Sequence, residues 1–392
     1  MKSLLFVLLV ASSAAAQPAA RDVDITSADG TRLKATYFAA PSAAKSTPGV
    51  MLMHMCVANR KSWEPVARLL SGGINVLTID NRGFGESGGP RYEGGSPDLQ
   101  RELTGKWPAD FDAAFAWLVG QPGVDKARIG AGGASCGVNN AVQLARRHPE
   151  VRSLVLLAGA PDTDPANAEG LNYLLTHAWL PMFTAAAADD QYDPHFPEMM
   201  RWLAEITGNP RNKFVGFKDG RHGTEIFGPH PELPRQIAAW FEDTLVKSPA
   251  KPAAAFTPKK TAISEFWSAA KQRGGSARAA AVFRQARQRD PGAFLFPEFP
   301  LNLLAYTKLR TADGADKNDV VELFRLNAQA YPRSANAQDS LADGYLARGE
   351  NALALAAEQK CLALLPGDPI NEQFKVQLRK VAEAKIAKLK GR

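Results

Sequence analysis

Cysteine is scarce in this sequence, and so are long apolar segments. Three cysteines occur in 392 residues, namely Cys56, Cys136 and Cys361, which is too few for a fold held together by disulfides. One pair could still form in an oxidising compartment. Beyond the N-terminus, no segment approaches the ~20 consecutive apolar residues of a membrane-spanning helix. A disulfide scaffold and a membrane-spanning protein are therefore excluded.

An excess of one charge is also missing. The 47 basic and 40 acidic residues are spread along the chain, and the basic residues cluster only in the short tail KIAKLKGR. This pattern favours a solvated surface over a face that binds nucleic acid. Histidines and carboxylates are not grouped with the spacing of metal ligands, so we predict neither a metal site nor a cofactor.

The N-terminus has the layout of a secretory signal peptide. The stretch MKSLLFVLLVASSAAAQPAA contains a lysine, an apolar run and then small residues, and Ala14 to Ala16 fit an A-x-A cleavage site. The apolar run is too short for a membrane anchor. We predict that residues 1–16 are a signal peptide and that the protein is exported to a periplasm or to the medium.

Residues 17–247 alternate between apolar runs of strand length and segments with helical spacing. The runs GVMLMHM, INVLTID, RIGAGGA, SLVLLAG and PMFTAAAA are apolar throughout, which is typical of parallel strands covered by helices on both sides. VDITSADG and TRLKATYFAA alternate around a turn and predict a hairpin. The predicted fold class is α/β, with a doubly wound and mostly parallel sheet.

The C-terminal third has a different pattern. Residues 248–262 are rich in proline, alanine and lysine without periodicity and predict a linker. Residues 263–392 are helical in pattern and predict a smaller all-α domain. Within it, SANAQDSLADGYLARGENALALAAEQKCLALLPGDP resembles a tetratricopeptide unit, and the alternative is a helical bundle without repeats. Such a domain suggests a protein or peptide partner, or self-association.

A serine between glycines follows the strand RIGAGGA. Gly133-Ala134-Ser135-Cys136-Gly137 is a G-x-S-x-G sequence at a strand-to-helix junction, where a sharp turn lifts the serine hydroxyl clear of the sheet. Gly85-Glu86-Ser87-Gly88-Gly89 has the same spacing, but it runs into Gly-Pro and no helix begins there. Context therefore selects Ser135 over Ser87 as the candidate nucleophile.

A nucleophilic serine needs a base and an acid that orients the base. His222 lies in the loop after the strand KFVGFK, and Asp190 lies in the loop after PMFTAAAA. Both loops are at the sheet edge where open α/β folds place their sites. Four other acids could reach the same histidine: Asp162, Asp164, Asp189 and Asp193.

These motifs together resemble the α/β-hydrolase superfamily over residues 22–246. The resemblance rests on NRGFGESGG, WPADFDAAFAWL, VDKARIGAGGASCG, DDQYDP and RHG, and it is strongest to the dienelactone-hydrolase-like and X-prolyl-peptidase-like esterase branches. Dienelactone hydrolases have a cysteine at the elbow position that Ser135 occupies here. The resemblance implies a Ser135, Asp190, His222 triad and an oxyanion hole formed by the backbone N–H groups of Cys56 and Cys136.

That placement leads to a hypothesis about the two cysteines. If both flank the oxyanion hole, their Cα atoms fall within the roughly 4.4–6.8 Å that a disulfide spans, and Cys361 stays free.

Relatives have a glycine where this chain has Met55, a change expected to alter the oxyanion loop. His54 is interpreted as a structural residue that holds this loop.

The sequence thus predicts a secreted serine hydrolase that cleaves a small-molecule carboxylic ester through an acyl-enzyme. A shallow pocket is expected, with apolar walls from LNYLLTHAWL at 171–180. A peptidase or an acyltransferase would use the same triad. A third alternative is a catalytically weak protein-binding module that uses its helical repeats.

Overall fold

The computed structural model describes most of the chain. The described residues are 20–41, 46–162, 169–249, 257, 259–314, 316–370 and 372–391. The predicted signal peptide at 1–16 lies outside them, as do residues 250–256 and 258 of the predicted linker.

The described residues form one eight-stranded sheet. The strands are β1 (Arg21–Thr26), β2 (Arg32–Phe38), β3 (Thr47–Met53), β4 (Asn75–Ile79), β5 (Val124–Ala134), β6 (Val151–Leu157), β7 (Met182–Ala187) and β8 (Lys213–Phe217). Their order in the sheet is β1-β2-β4-β3-β5-β6-β7-β8. Strand β1 pairs with β2 and β2 with β4 in antiparallel fashion, and all other pairs are parallel. The predicted fold class is confirmed.

Helices cover both faces of the sheet because alternate side chains of each strand point to opposite sides. In β3, Met51 and Met53 pack into one apolar cluster, whereas Val50 and Leu52 pack into the other. The helices of this part are α1 (Glu64–Leu70), α2 (Pro97–Val119), α3 (Cys136–Arg147), α4 (Glu169–Thr176), α5 (Phe196–Ile206) and α6 (Glu232–Glu242).

Helix α2 is longer than the sequence pattern indicates. The apolar spacing predicts a helix from Pro108, but the helix begins at Pro97 and contains Pro108 in its interior. Ser96 caps the true start, where its side chain accepts a hydrogen bond from the N–H of Leu99, and proline is favourable in the first turn. The predicted start was wrong because two prolines compete for the first-turn position, and the capping serine selects the earlier one.

The C-terminal region is helical, as predicted. Its described residues form seven helices: α7 (Ala262–Lys271), α8 (Ser276–Arg289), α9 (Glu298–Thr311), α10 (Asp316–Ala330), α11 (Ala335–Arg348), α12 (Asn351–Leu364) and α13 (Glu372–Lys390). Sequential helices pack in pairs, α7 with α8, α9 with α10 and α11 with α12. Gly349 ends α11 in the left-handed conformation at a φ of 77°, which glycine adopts without strain.

Two tryptophans dock the helical region on the sheet domain. Trp202 of α5 and Trp267 of α7 are fully buried, and their ring centroids are 5.0 Å apart. Both indole N–H groups donate to the carbonyl of Leu295, each at 3.1 Å. The loop between α8 and α9 is therefore fixed against α5. No helix of the described residues has the length and apolarity needed to cross a membrane.

Candidate active site

Ser135 lies at the turn between β5 and α3 in a strained backbone conformation. Its φ of 55° and ψ of −122° are costly for a residue with a side chain. Close backbone contacts leave no room for a side chain at the two glycines that flank it. A Cβ on Gly133 would lie 1.8 Å from the carbonyl oxygen of Gly137, and one on Gly137 would lie 2.5 Å from that of Met53. The tight turn leaves Ser135 partly exposed at the N-terminus of α3.

Ser87, which shares the same sequence motif, occupies a different environment. It is buried, its hydroxyl donates to the carbonyl of Asp80, and it accepts from the N–H of Lys34. By contrast, Ser135 Oγ makes no hydrogen bond within the described part of the chain. The hydroxyl of Ser87 thus holds its own loop through two hydrogen bonds, whereas that of Ser135 can contact a substrate.

His222 and Asp190 form a buried hydrogen-bonded pair. The distance from His222 Nδ1 to Asp190 Oδ2 is 2.6 Å, and the two residues are 2% and 6% exposed. The other carboxylate oxygen of Asp190 accepts the backbone N–H groups of Tyr192 and Asp193. The carboxylate is therefore oriented by its own loop, and it holds the proton of the imidazole on Nδ1 so that Nε2 can accept one.

The competing acids have other partners. Asp189 accepts from the N–H of Arg221, and Asp193 from that of His195. Asp162 accepts the N–H groups of Gly170 and Leu171, and its burial raises its pKa to about 6. Asp164 lies outside the described residues. Among the described acids named in the sequence analysis, the structure brings Asp190 to His222.

Contacts of neighbouring residues place His222 beside Ser135. A Cβ on Gly223, which follows the histidine, would lie 3.3 Å from the Cβ of Ala134 and 3.0 Å from Met55 Sδ. Thr224 Oγ1 also donates to Met55 Sδ at 3.8 Å. The histidine loop therefore packs on the residue before Ser135 and on the loop after β3, although Ser135 and His222 are not hydrogen-bonded to each other.

Cys56 and Cys136 are joined by a disulfide, with their Cα atoms 5.9 Å apart. Strand register explains how they meet. Met53 of β3 pairs with Gly133 of β5 in the parallel ladder, and each cysteine lies three residues after its member of that pair. The two chains leave the sheet side by side, so the disulfide ties the loop after β3 to the elbow. Cys361 is free and buried.

His54 holds the loop that carries Cys56. Its ring is fully buried, with Nδ1 2.7 Å from the carbonyl of Met55 and Nε2 accepting the N–H of Asn81 at 2.9 Å. Burial lowers the pKa of this imidazole, which favours the neutral form that these two bonds require. These two hydrogen bonds hold the loop that carries Met55 and Cys56.

Removing the disulfide is expected to destabilise the protein. The bond closes a loop with a sequence separation of 80, so we expect the double variant Cys56→Ser, Cys136→Ser to lose about 2–4 kcal/mol of unfolding free energy. Urea denaturation would measure this. Dithiothreitol should lower the stability of the wild type toward that of the double variant and leave the double variant unchanged. Three titratable thiols in unfolded, oxidatively produced protein would contradict the pairing.

Several residues that support the site were not evident from the sequence. Glu225 Oε2 accepts the backbone N–H of His222 at 3.2 Å and the side-chain N–H of Gln191 at 2.7 Å. These two hydrogen bonds link the loop that carries His222 to the loop that carries Asp190. The rings of Tyr192 and Phe196 lie 4.7 and 5.3 Å from that of His222. An aromatic residue in a polar loop gives a weak sequence signal, because the ring that it contacts lies in the loop after another strand.

One group of potential metal ligands occurs among the described residues, far along the chain from Ser135. Ligand atoms of Asp339, Glu358 and Cys361 lie within 4.8 Å of one another. Lys385 of α13 places its ammonium 2.8 Å from Asp339 and 3.1 Å from Glu358. Burial raises the pKa of the Cys361 thiol to about 12, so it stays protonated. The Lys385 ammonium balances only part of the negative charge of this group, because burial and the neighbouring Asp339 still raise the pKa of Glu358 to about 8. Its ion pairs tie α13 to α11 and α12.

Comparison with known proteins finds a family model, curated relatives and solved structures that match part of the chain. The sequence model of the family described as alpha/beta hydrolase fold matches residues 48–278. An uncharacterized protein of Mycobacterium tuberculosis is 34% identical over 174 residues, which are 44% of this chain and 55% of that protein. A polyketide transferase of Penicillium crustosum is 30% identical over 163 residues, or 40% of this chain and 50% of that protein. The chain spans about half the length of these curated relatives.

Solved structures similar to this one include two enzymes. A dienelactone hydrolase from Anabaena variabilis is 22% identical, with 58% of this chain and 99% of that chain covered at a TM-score of 0.45. An esterase from Pyrococcus furiosus is 21% identical, with 58% and 93% covered at a TM-score of 0.44.

Proposed function

The chain belongs to the alpha/beta hydrolase fold family, and from that premise we propose that it is a serine hydrolase that cleaves carboxylic esters. The observation that carries the proposal is the buried 2.6 Å hydrogen bond between His222 Nδ1 and Asp190 Oδ2, beside a serine on a strained strand-to-helix turn. A hydroxyl, a free imidazole nitrogen and an orienting carboxylate are the components of a serine nucleophile.

In the proposed reaction, Ser135 Oγ attacks the ester carbonyl carbon while His222 Nε2 accepts the hydroxyl proton. The imidazolium that forms is stabilised by Asp190 and then gives its proton to the leaving alcohol, which departs and leaves an acyl group on Ser135. A water molecule repeats these steps, and His222 acts as base and then as acid. The products are the carboxylic acid, the alcohol and the free serine.

The backbone N–H groups of Cys56 and Cys136 are proposed to bind the oxyanion of the tetrahedral intermediate. Cys136 is the first residue of α3, so its N–H has no acceptor within the helix. The disulfide supports this role, because it joins the two residues whose donors must point to one oxygen. Fixed donors stabilise developing charge better than water, which must first reorganise.

Acyl transfer to an acceptor other than water is the second candidate function. The relative from Penicillium crustosum is a polyketide transferase by name, and the same acyl-enzyme would serve both outcomes. A peptidase would differ in its leaving group. A protein-binding module without strong activity remains the alternative in which the helical region, proposed to be tetratricopeptide-like, carries the function.

Export from the cytoplasm is part of the proposal. It is supported by the signal-like sequence at 1–16 and by the disulfide, since disulfides persist mainly in oxidising compartments. Fractionation of cells that express the full chain, with sequencing of the mature N-terminus, would test it. An intact N-terminus in cytoplasmic protein would contradict it.

A fluorophosphonate probe tests the enzyme proposal directly. We expect covalent labelling of the folded wild-type chain, with the modified peptide containing Ser135, because the probe reacts with activated serines. Ser87→Ala is the matched control, since it removes the hydroxyl from the other G-x-S-x-G sequence, and its labelling should equal that of the wild type. Lack of labelling in folded protein would refute the proposal. Esters, dipeptide amides and alternative acyl acceptors would then separate the three activities.

A further inference from the structure

A large cavity lies between the helical region and the acid loop, which is the segment after β7 that carries Asp190. Its volume is about 670 Å³, within the range of roughly 300–1,000 Å³ typical of ligand sites. One wall is the segment 192–199, which follows Asp190. The opposite walls come from the ends of α8 and α10, the start of α11, the segment 292–299, residues 368–370 and Phe374. We name it the aromatic cavity.

The walls of the aromatic cavity are rich in aromatic side chains, namely Tyr192, Phe283, Phe294, Phe296, Phe299, Tyr331 and Phe374. Three of these rings contact one another, because Phe296 lies 5.4 Å from Phe283 and 6.4 Å from Tyr331 between ring centroids. Tyr331 also donates its hydroxyl to the carbonyl of Phe296 at 2.7 Å, which fixes this wall. A preformed surface of this kind fits flat rings, which gain from stacked and edge contacts.

Two carboxylates that line the cavity are engaged with the protein itself. Both carboxylate oxygens of Asp368 accept backbone N–H groups, those of Ala335 and Ile370. Glu298 Oε1 accepts from the side chains of Ser334 and Asn336. These hydrogen bonds hold both carboxylates in place within the helical region. Ionisable side chains at 193, 195, 198, 287 and 333 also lie in the lining, but most of its surface is apolar.

Tyr192 connects the cavity to the reacting residues. Its ring lines the cavity and also lies 4.7 Å from the ring of His222, and its backbone N–H donates to Asp190 at 2.9 Å. Through Tyr192, the aromatic cavity offers apolar surface next to His222.

We propose that the aromatic cavity binds a fused-ring aromatic group of the ester substrate, so that the helical region sets substrate specificity. This inference rests on the proposed hydrolase function, because the ring group is part of an ester whose carbonyl carbon must lie at Ser135. The acid loop then has two tasks, since it orients His222 through Asp190 and contacts the substrate through Tyr192.

A cavity-filling variant tests the inference. Ala330 lines the cavity at the end of α10, and Ala330→Trp would fill part of it. Ala281→Trp makes the same change on the exposed surface of α8 and serves as the matched control. Three esters are compared: 4-nitrophenyl acetate, 2-naphthyl acetate and 4-nitrophenyl 2-naphthoate. The last two carry fused rings on the alcohol side and on the acyl side.

We expect Ala330→Trp to lower kcat/KM about tenfold or more for at least one naphthyl ester, mainly through KM, because lost pocket contacts typically change discrimination by this amount. Hydrolysis of 4-nitrophenyl acetate should stay within about twofold, and Ala281→Trp should match the wild type on all three esters. As a second variant, Phe299→Ala removes a partly exposed ring of the wall and should weaken the same naphthyl ester.

The outcomes separate the inference from the function on which it rests. Equal effects of Ala330→Trp on all three esters, or no effect on any, would overturn the inference while Ser135-dependent hydrolysis of 4-nitrophenyl acetate upheld the hydrolase. Absence of Ser135-dependent hydrolysis of every ester would overturn both. Saturable binding of 2-naphthyl methyl ketone to Ser135→Ala, weakened by adding Ala330→Trp, would support the cavity as the ring-binding site.

Discussion

Replacing Ser135 with alanine is expected to lower kcat for ester hydrolysis by roughly 10⁶-fold, as removal of the nucleophile does in a well-studied serine protease. Binding should change little, because the methyl side chain keeps the shape of the turn and removes the hydroxyl alone. Steady-state kinetics on 4-nitrophenyl acetate, with active protein counted by fluorophosphonate titration of the wild type, would measure the loss.

Ser87→Ala is the control that makes this result specific. Its hydroxyl is buried and bonded to Asp80 and Lys34, so the variant should lose on the order of 1 kcal/mol of stability and keep its kcat. If Ser135→Ala retained more than a few per cent of the activity of folded wild type, or if Ser87→Ala lost as much, Ser135 would not be the nucleophile.

The sheet and the elbow could be predicted from the sequence because their signals are local. Each apolar run from GVMLMHM to PMFTAAAA became a strand with neighbours on both faces. Ser135 differs from Ser87 in the residues on its C-terminal side. A helix begins at Cys136, whereas Gly88 and Gly89 continue a loop. Local context of this kind does not depend on contacts made far along the chain.

The aromatic cavity could not be predicted because it depends on distant parts of the chain. Tyr192, Phe283, Phe299 and Phe374 come together only after the helical region docks through Trp202. An isolated phenylalanine at helical spacing indicates a core position, and nothing in its neighbourhood distinguishes a cavity wall. The expectation of pocket walls at 171–180 stays a prediction, since the leucines at 171, 174 and 180 are buried in the core and Leu175 and Trp179 are partly exposed.

Asp190→Asn is expected to lower kcat about 10⁴-fold while the protein stays folded, as the equivalent change does in a serine protease. The physical reason lies in the acceptors and donors of the loop. The N–H groups of Tyr192 and Asp193 need an acceptor at the Oδ1 position, so the amide oxygen of asparagine should take that place. Its NH₂ group then faces His222 Nδ1 and can only donate.

An asparagine that donates to Nδ1 forces the imidazole proton onto Nε2, the nitrogen that must accept the proton of Ser135. The histidine would thus be held in its usual position with the wrong tautomer. Asp189→Asn is the matched control, because Asp189 is the adjacent residue and accepts the N–H of Arg221 instead, so its kcat should stay within about threefold. A loss from Asp189→Asn equal to that from Asp190→Asn would show that Asp190 is not the residue that orients the base.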